Sequence, residues 1–166
     1  MALIVEDGSI VANADTYLDL AGARAFALAR GVTLSVDDVA LTATIYKAMD
    51  FLEAKWDKFK GDRTDVTTPQ TLQWPRQNVK LYGEDLDPNT IPAALLNGLG
   101  QLIIESESLD LTPTGTGKEV IKEKVDVLEV GYSTQGSMAP QPRFVKVEQF
   151  LAPLYKTNVV LTTERA

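Results

Sequence analysis

The chain has 166 residues, of which 45% are hydrophobic and 23% are charged, a composition typical of a globular protein of one domain, or of one domain with an arm. It contains no Cys and no His, which excludes disulfides, Cys-type zinc sites, thiol nucleophiles and any mechanism that needs a histidine base. The net charge of −7 favours solubility and disfavours the phosphate backbone of a nucleic acid as a ligand.

The chain lacks an apolar run of about 18 residues, so we expect no membrane-spanning helix. Its first residues, MALIVEDGSIV, carry no basic residue before the apolar stretch and place Glu6 and Asp7 soon after it. This pattern is not that of a signal peptide, and with the absence of Cys it indicates an intracellular site of synthesis.

Residues 1–14 open with an apolar run that ends at the Asp7-Gly8 turn signal. We interpret them as an extended segment that pairs with another part of the protein or with a neighbour. The first helix is predicted within residues 15–30, with Asp19 as its N-cap and Gly31 as the left-handed residue after its end.

The second helix is predicted within residues 33–60. Ser35 and Asp38 resemble a capping box at its start, and Gly61 ends it. Apolar residues recur at helical spacing along one side, which predicts a buried stripe: Val39, Ile45, Met49, Leu52, Trp56 and Phe59.

Residues 62–89 are predicted to be mostly loop, since Pro and Gly recur through them. Their main feature is Trp74-Pro75-Arg76, in which Pro75 favours an extended Trp74. We favour a Trp that plugs the helix ends over one that stacks on a nucleic-acid base with Arg76 on a phosphate, because stacking platforms need several such pairs. The predicted structural clamp consists of Trp56, Phe59, Trp74, Pro75 and Arg76.

The third helix is predicted within residues 90–108, with Pro92 in its first turn. It is apolar around much of its circumference, so we expect it to be central. Gly98 and Gly100 lower its helix propensity but permit close packing.

The last third of the chain begins with a Thr-Pro-Gly-rich hinge at residues 111–118. Its Gly117-Lys118 pair fails the phosphate-loop pattern, because Glu119 stands where Ser or Thr is required. A strand over residues 119–132, a loop, a helix over residues 144–155 that Pro153 kinks or ends, and a short extended tail over residues 157–166 follow.

These elements predict a mainly α fold, a small helical bundle with an extended β arm and a C-terminal helix. The predicted division is a helical core with its extended N-terminal segment over residues 1–110, a hinge linker over 111–118, and the arm, C-terminal helix and tail over 119–166. The carboxylates are scattered, and none shows calcium-loop spacing. We therefore expect no catalytic residues, no metal site, no cofactor and no enzymatic activity.

Several stretches resemble a protein family of tailed bacteriophages that carries the label DnaT-like single-stranded-DNA-binding protein. They include the opening MALIVEDGSIVANADTYL, ATIYKAMDFLEA with the Gly-x-Arg-Thr break after it, LQWPRQNV, IPAAL and KEKVDVLEVGY. The Leu-x-Trp-Pro-Arg cluster at residues 72–76 is the most specific of them. That family also resembles the head-tail connector adaptors, the head-completion proteins that lie below the portal.

The resemblance to adaptors implies a structural virion protein at the head-tail interface of a tailed phage, assembled in the host cytoplasm. Its expected partners are the portal protein, a neck or tail-completion protein, and further copies of itself in a ring, commonly a dodecamer. DNA would pass through the channel without specific binding, and no membrane would be involved. The family label implies the alternative, a single-stranded-DNA-binding replication accessory protein.

We expect the intersubunit or partner contacts in the extended segments at residues 1–14, 119–132 and 156–166, because their apolar side chains have no evident core to join. The candidate contact residues are Leu3, Ile4, Val5, Ile121, Val125, Val127, Leu128, Val130, Tyr132, Val159, Val160 and Leu161.

Overall fold

The computed structural model describes residues 3–65, 70–111, 120–124, 129–132 and 144–156. The chain divides into two compact units. The first comprises Met1–Leu109 and Phe144–Ala166, and the second comprises Asp110–Arg143. The second unit is therefore an insertion in the sequence of the first.

The first unit begins with helices α1 (Leu20–Leu28) and α2 (Asp38–Glu53). The predicted N-cap of α1 is confirmed, because the Asp19 carboxylate accepts a hydrogen bond from the Gly22 amide. Gly31 has the predicted left-handed conformation, with φ of 72°. The capping box predicted for α2 is wrong: Asp37 is the N-cap and accepts from the Val39 amide, while Asp38 pairs with Arg24.

Helix α2 ends seven residues earlier than the predicted Lys60, since its last residue is Glu53. The chain then tightens into turns in which amides bond to carbonyls three residues back, as from Lys55 to Leu52 and from Trp56 to Glu53. The buried stripe therefore differs from the predicted one. Val39 is 77% exposed, and the buried positions of α2 are Leu41, Ile45, Ala48, Met49 and Leu52.

Helix α3 (Ala93–Ser106) is the centre of the first unit, as predicted from its apolar circumference. It packs against α1, α2 and α4 (Val145–Leu151). A short 3-10 turn at Ala152–Leu154, which contains Pro153, continues α4, in agreement with the predicted helix end. Fully buried leucine and isoleucine side chains line α3: Leu95, Leu99, Leu102 and Ile103.

The prediction of a mainly α fold is wrong, because the described residues contain six short strands in three antiparallel pairs and form a mixed α/β structure. Four of the strands lie in the segment predicted as loop. Strand β1 (Asp62–Arg63) pairs with β2 (Arg76–Gln77), and β3 (Lys80–Leu81) pairs with β4 (Glu84–Asp85). Each has two residues, too few for an alternation of apolar and polar residues to identify a strand.

The N-terminal segment lies against its own chain. Val5 forms a parallel bridge with Thr16, and the Glu6 amide donates to the Thr16 carbonyl at 2.8 Å. The Glu6 carboxylate is buried and accepts hydrogen bonds from the amides of Gly8, Ile10 and Val11. One carboxylate thus organises the turn that the Asp-Gly signal indicated.

The second unit contains an antiparallel hairpin of β5 (Val120–Lys124) and β6 (Glu129–Tyr132). The pairing is irregular between Val120 and Lys122, where the register shifts. The continuous strand predicted over residues 119–132 is thus two strands. Of the predicted hinge at 111–118, residues 112–118 lie outside the described residues, so the predicted division of the chain stays a prediction. Helix α4 packs on α3 within the first unit.

Among the helices in the described residues, none combines the length and the apolar composition needed to cross a membrane.

We expect Gly98→Ala to destabilise the protein by about 1–2 kcal/mol, because overpacking outweighs the gain in helix propensity. An added Cβ would lie 2.5 Å from Leu151 Cδ2 and 2.9 Å from its Cγ, and the Leu151 side chain is fully buried. Urea denaturation measures the change. Asn97→Ala, at the neighbouring half-buried position, is the control and should be neutral or stabilising; a stabilising Gly98→Ala would contradict the close α3–α4 contact.

Candidate functional site: the Trp74 clamp

The Trp74 clamp is the cluster formed by Trp74, Pro75 and Arg76 with Phe59. Trp74 and Phe59 are both 0% exposed, and their rings meet edge to face with centroids 5.9 Å apart. The Tyr155 ring also packs on Phe59, with the two ring centroids 5.8 Å apart. The Trp74-Pro75 peptide bond is cis. The cluster therefore joins the loop after α2 to the segment after α4.

Phe59 lies in this cluster because its backbone pairs with the segment that follows α4. Phe59 and Tyr155 form an antiparallel bridge, in which the Lys60 amide donates to Leu154 and the Lys156 amide donates to Lys58. Trp56 belonged to the predicted clamp, but its side chain is 62% exposed. The early end of α2 removes Trp56 from the buried stripe.

Arg76 is 6% exposed as a residue, and backbone carbonyls accept hydrogen bonds from its guanidinium group. Its Nε donates to the Lys60 carbonyl at 2.8 Å and its Nη2 to the Gly61 carbonyl at 2.6 Å. Burial lowers the pKa of Arg76, although Asp62 and Glu53 act in the opposite direction. Arg76 thus closes the turn at Gly61, and its donors are not available to a phosphate.

A buried polar network holds the backbone around Trp74. The Tyr17 hydroxyl donates to Glu53 Oε1 at 2.8 Å and accepts from the Trp74 amide at 3.0 Å. The Gln73 amide donates to Glu53 Oε2 at 2.8 Å. Gln70 Nε2 donates to the carbonyls of Leu72 and Pro75. Both carboxylate oxygens of Glu53 are therefore used in fixing the clamp.

Three residues of this hydrogen-bond network were not predicted from the sequence: Tyr17, Glu53 and Gln70. Glu53 stands four residues after Met49, so it continues the buried side of α2, and that position was the available signal. Nothing in the spacing of Tyr17 indicates that it meets Trp74, since this contact joins segments more than 50 residues apart. Gln70 bonds locally, to the carbonyls of Leu72 and Pro75, and no sequence pattern marks it for that role.

Burial raises the pKa of Glu53, although the hydrogen bonds from Tyr17 and Gln73 and the charges of Arg63 and Arg76 partly offset it. The pKa of Tyr17 is raised well above its usual range by burial and by Glu53. Three buried nitrogen atoms have no hydrogen-bond partner in the described part of the chain: Nε and Nη2 of the Arg63 guanidinium and the indole nitrogen of Trp74.

We expect a measurable effect of Glu53 on the pH dependence of stability. Its folded-state pKa lies above the unfolded value of 4.5, so ionisation of Glu53 costs stability above the raised pKa. As the pH falls from 7 towards 4.5, that cost disappears. The unfolding free energy of the wild type minus that of Glu53→Gln should therefore increase over this window in urea titrations.

Glu148→Gln is the control with the opposite sign. Burial acts to raise the pKa of Glu148, but the 2.8 Å hydrogen bond from Lys55 and its charge outweigh it and the pKa is lowered. Its stabilisation is present above pH 4.5 and is lost as the pH falls through the lowered value. Equal slopes for the two variants would contradict the assignment of Glu53 as a buried, destabilising charge.

The predicted contact residues fall into three groups. Leu3 and Val5 are half-buried against their own chain, and Ile4 is 41% exposed. Ile121, Val130 and Tyr132 lie in the hairpin, with Tyr132 opposite Val120 and Val130 opposite Glu123. The remaining ones lie outside the described residues: Val125, Val127, Leu128, Val159, Val160 and Leu161. Their role in binding stays a prediction.

The described residues contain no cluster of three acidic side chains that could hold a metal ion. The Trp74 clamp offers an approaching ligand neither an open aromatic face nor a free cation. The clamp therefore has a structural role. Trp74 is 0% exposed, so it cannot stack on a base in this conformation.

Comparison with known proteins gives a match over the whole length of the chain. The family model described as "Putative DnaT-like ssDNA binding protein" matches residues 1–166. A 57-residue stretch is 37% identical to eukaryotic translation initiation factor 2 subunit 2 of Caenorhabditis elegans and covers 34% of this chain but only 23% of that protein. No solved structure matches the chain. The chain therefore belongs to the family described as DnaT-like single-stranded-DNA-binding proteins.

Proposed function

We propose that the protein is a structural head-tail adaptor of a tailed phage, which joins the portal to the neck or tail as a ring and has no enzymatic activity. The observation that carries the proposal is the division into two units, in which the β5–β6 hairpin belongs to a separate insertion between α3 and α4. A hairpin outside the main core can bind a partner by adding its strands to a neighbouring sheet.

Many basic side chains of the first unit form hydrogen bonds or ion pairs within the chain, which also supports a protein as the binding partner. Arg24 donates to the carbonyls of Ser35 and Val36 and pairs with Asp38 at 2.7 Å. Other basic side chains of this unit bond within the chain: Lys55 to Glu148, Lys60 to Pro153, Arg76 to Lys60 and Gly61, Lys80 to Asp85, and Lys156 to Asp57. Cations that already have a partner contribute little to phosphate binding.

The net charge of −7 agrees with this role, since an acidic channel lets DNA slide without binding it. In the proposed location, at the head-tail interface of the virion, the ring would surround passing DNA. The ring would then function only if it did not bind this DNA tightly.

A second candidate is a single-stranded-DNA-binding replication accessory protein. The description of the family to which the chain belongs favours it. Such proteins combine a basic groove with several stacking aromatic rings. Trp74 is buried and aromatic residues make up 7% of the chain, so the surface features expected of this function are weakly represented.

Deletion of residues 118–135 tests the adaptor role, because it removes the hairpin while leaving the helices of the first unit intact. In a phage that carries the deletion, we expect filled heads and free tails that fail to join, counted by electron microscopy. Circular dichroism of the purified variant should show folded helices. Normal joining by this variant would refute the proposed role of the hairpin.

Binding of a fluorescent oligothymidylate, followed by anisotropy at rising salt, separates the two candidates. The adaptor proposal predicts no saturable binding at about 150 mM salt, where tight single-strand binders remain bound. Micromolar binding with a steep salt dependence would favour the replication role.

A further inference from the structure

The tip of the β3–β4 hairpin carries an aromatic ring in an unfavourable backbone conformation. Tyr82 and Gly83 form its two-residue loop, and Tyr82 has φ of 54° while its residue surface is 90% exposed. Left-handed conformations disfavour large side chains, and Asn or Gly is preferred in such loops. Burial within its own unit therefore does not offset the cost of this backbone conformation. The exposed ring indicates a role in a contact with another molecule.

The surroundings of Tyr82 are acidic. Glu84, Asp85 and Asp87 are all exposed, and Lys80 pairs with Asp85 at 3.2 Å. Glu84 lies opposite Leu81 in the hairpin, directly beside the tip. Tyr82 with these carboxylates forms the feature that we call the acidic tip.

A cavity of about 400 Å³ opens elsewhere on the first unit, between the end of α1 and helix α4. Its apolar lining consists of Val32, Ile104 and Phe150. The volume and the apolar lining suit a single aromatic side chain.

Charged side chains of both signs line this cavity, and the cations outnumber the single carboxylate. The Arg30 guanidinium lies 3.4 Å from the centre of the Phe26 ring and donates to the Phe26 carbonyl, which fixes its orientation. The Glu105 carboxylate accepts a hydrogen bond from Gln101 at 2.8 Å. Lys146 is exposed and has no ion pair within the described residues. The cavity thus presents an apolar floor with two cations, Arg30 and Lys146, and one carboxylate, Glu105, so its lining has a net charge of +1, opposite in sign to the acidic tip.

We propose that a second copy of this chain inserts its acidic tip into this cavity, with the Tyr82 ring over the apolar floor and Glu84 near Lys146. Phe150 lines both the cavity and the groove beside Tyr82, so tip and cavity lie on one face of the unit. Two copies can then exchange tips reciprocally in a two-fold pair, the commonest symmetry of soluble oligomers. The pair is a state of the free protein and does not depend on the adaptor role.

Sedimentation equilibrium of the full chain over a series of concentrations tests the pairing. We expect a monomer–dimer equilibrium that Tyr82→Asn weakens by about tenfold or more, as for an aromatic residue at the centre of an interface. Because Asn tolerates the left-handed conformation better than Tyr, thermal unfolding of this variant should begin no earlier than that of the wild type. Trp56→Ala, which removes an aromatic residue that is 62% exposed and outside both surfaces, should leave the equilibrium unchanged.

Charge-reversal variants test whether the acidic tip binds in this cavity. Lys146→Glu and Glu84→Lys should each weaken the pair, and the double variant should restore much of the lost affinity, since the opposite charges then meet again. A protein that remains monomeric at every concentration, or a dimer that neither Tyr82→Asn nor Lys146→Glu weakens, would overturn the proposal. A dimer that both single variants weaken but the double variant does not restore would overturn the pairing of Glu84 with Lys146.

Discussion

Replacement of Trp74 by Ala is expected to lower the free energy of unfolding by about 3–5 kcal/mol, the cost of deleting a fully buried indole. The ring is 0% exposed and packs edge to face on Phe59. Its loss would leave a cavity beside the buried Phe59 ring, which gains no replacement contacts. Urea denaturation followed by circular dichroism measures the loss, because fluorescence would report only on Trp56 in this variant.

Trp56→Ala is the matched control, since it deletes the same side chain at a site that is 62% exposed. We expect its effect to remain within about 0.5 kcal/mol, the usual range for surface substitutions. Similar losses for the two variants would show that Trp56 belongs to the clamp after all. The comparison thus separates the residue that holds the first unit together from its neighbour in sequence.

Gly61→Ala should destabilise the protein by about 2–5 kcal/mol, since a left-handed backbone and steric overlap add up at this position. Gly61 has φ of 65°, and an added Cβ would overlap the backbone carbonyl oxygen of Gln77. The β1–β2 pairing fixes that carbonyl group, so it cannot move aside at low cost.

Gly31→Ala provides the control for backbone conformation alone. Gly31 has φ of 72°, and no atom lies within 4 Å of an added Cβ. We expect a loss of about 1–2 kcal/mol, the cost of the left-handed conformation. If both variants lose the same amount in urea denaturation, then the close approach of Gln77 to Gly61 contributes nothing to stability.

Features that depend on neighbours in sequence could be predicted. Asp19 as a cap, Gly31 after α1, the central position of α3 and the helix end at Pro153 all follow from local hydrogen bonding and from periodicity. The local signals failed where two interpretations compete. The capping box was predicted from Ser35 and Asp38, but Asp also caps helices well, and the structure uses Asp37.

Features that depend on contacts between distant segments could not be predicted. The end of α2 at Glu53 depends on the pairing of Phe59 with Tyr155, which lies almost 100 residues later. Strands β3 and β4 form a local hairpin that is too short for periodicity to identify, but β1 and β2 pair because Arg76 folds back on the turn at Gly61. The buried network of the candidate site has the same origin, and for that reason the mainly α prediction was wrong.

The insertion of the second unit between α3 and α4 has a mechanical consequence. Because Asp110–Arg143 is connected to the first unit at both ends, a force that pulls on the hairpin is shared by two covalent connections. One leads into α3 and the other into α4, and these helices pack directly against each other through Gly98 and Leu151. Tension on the insertion would therefore act on the α3–α4 contact, and a chain truncated before Phe144 could not form that contact.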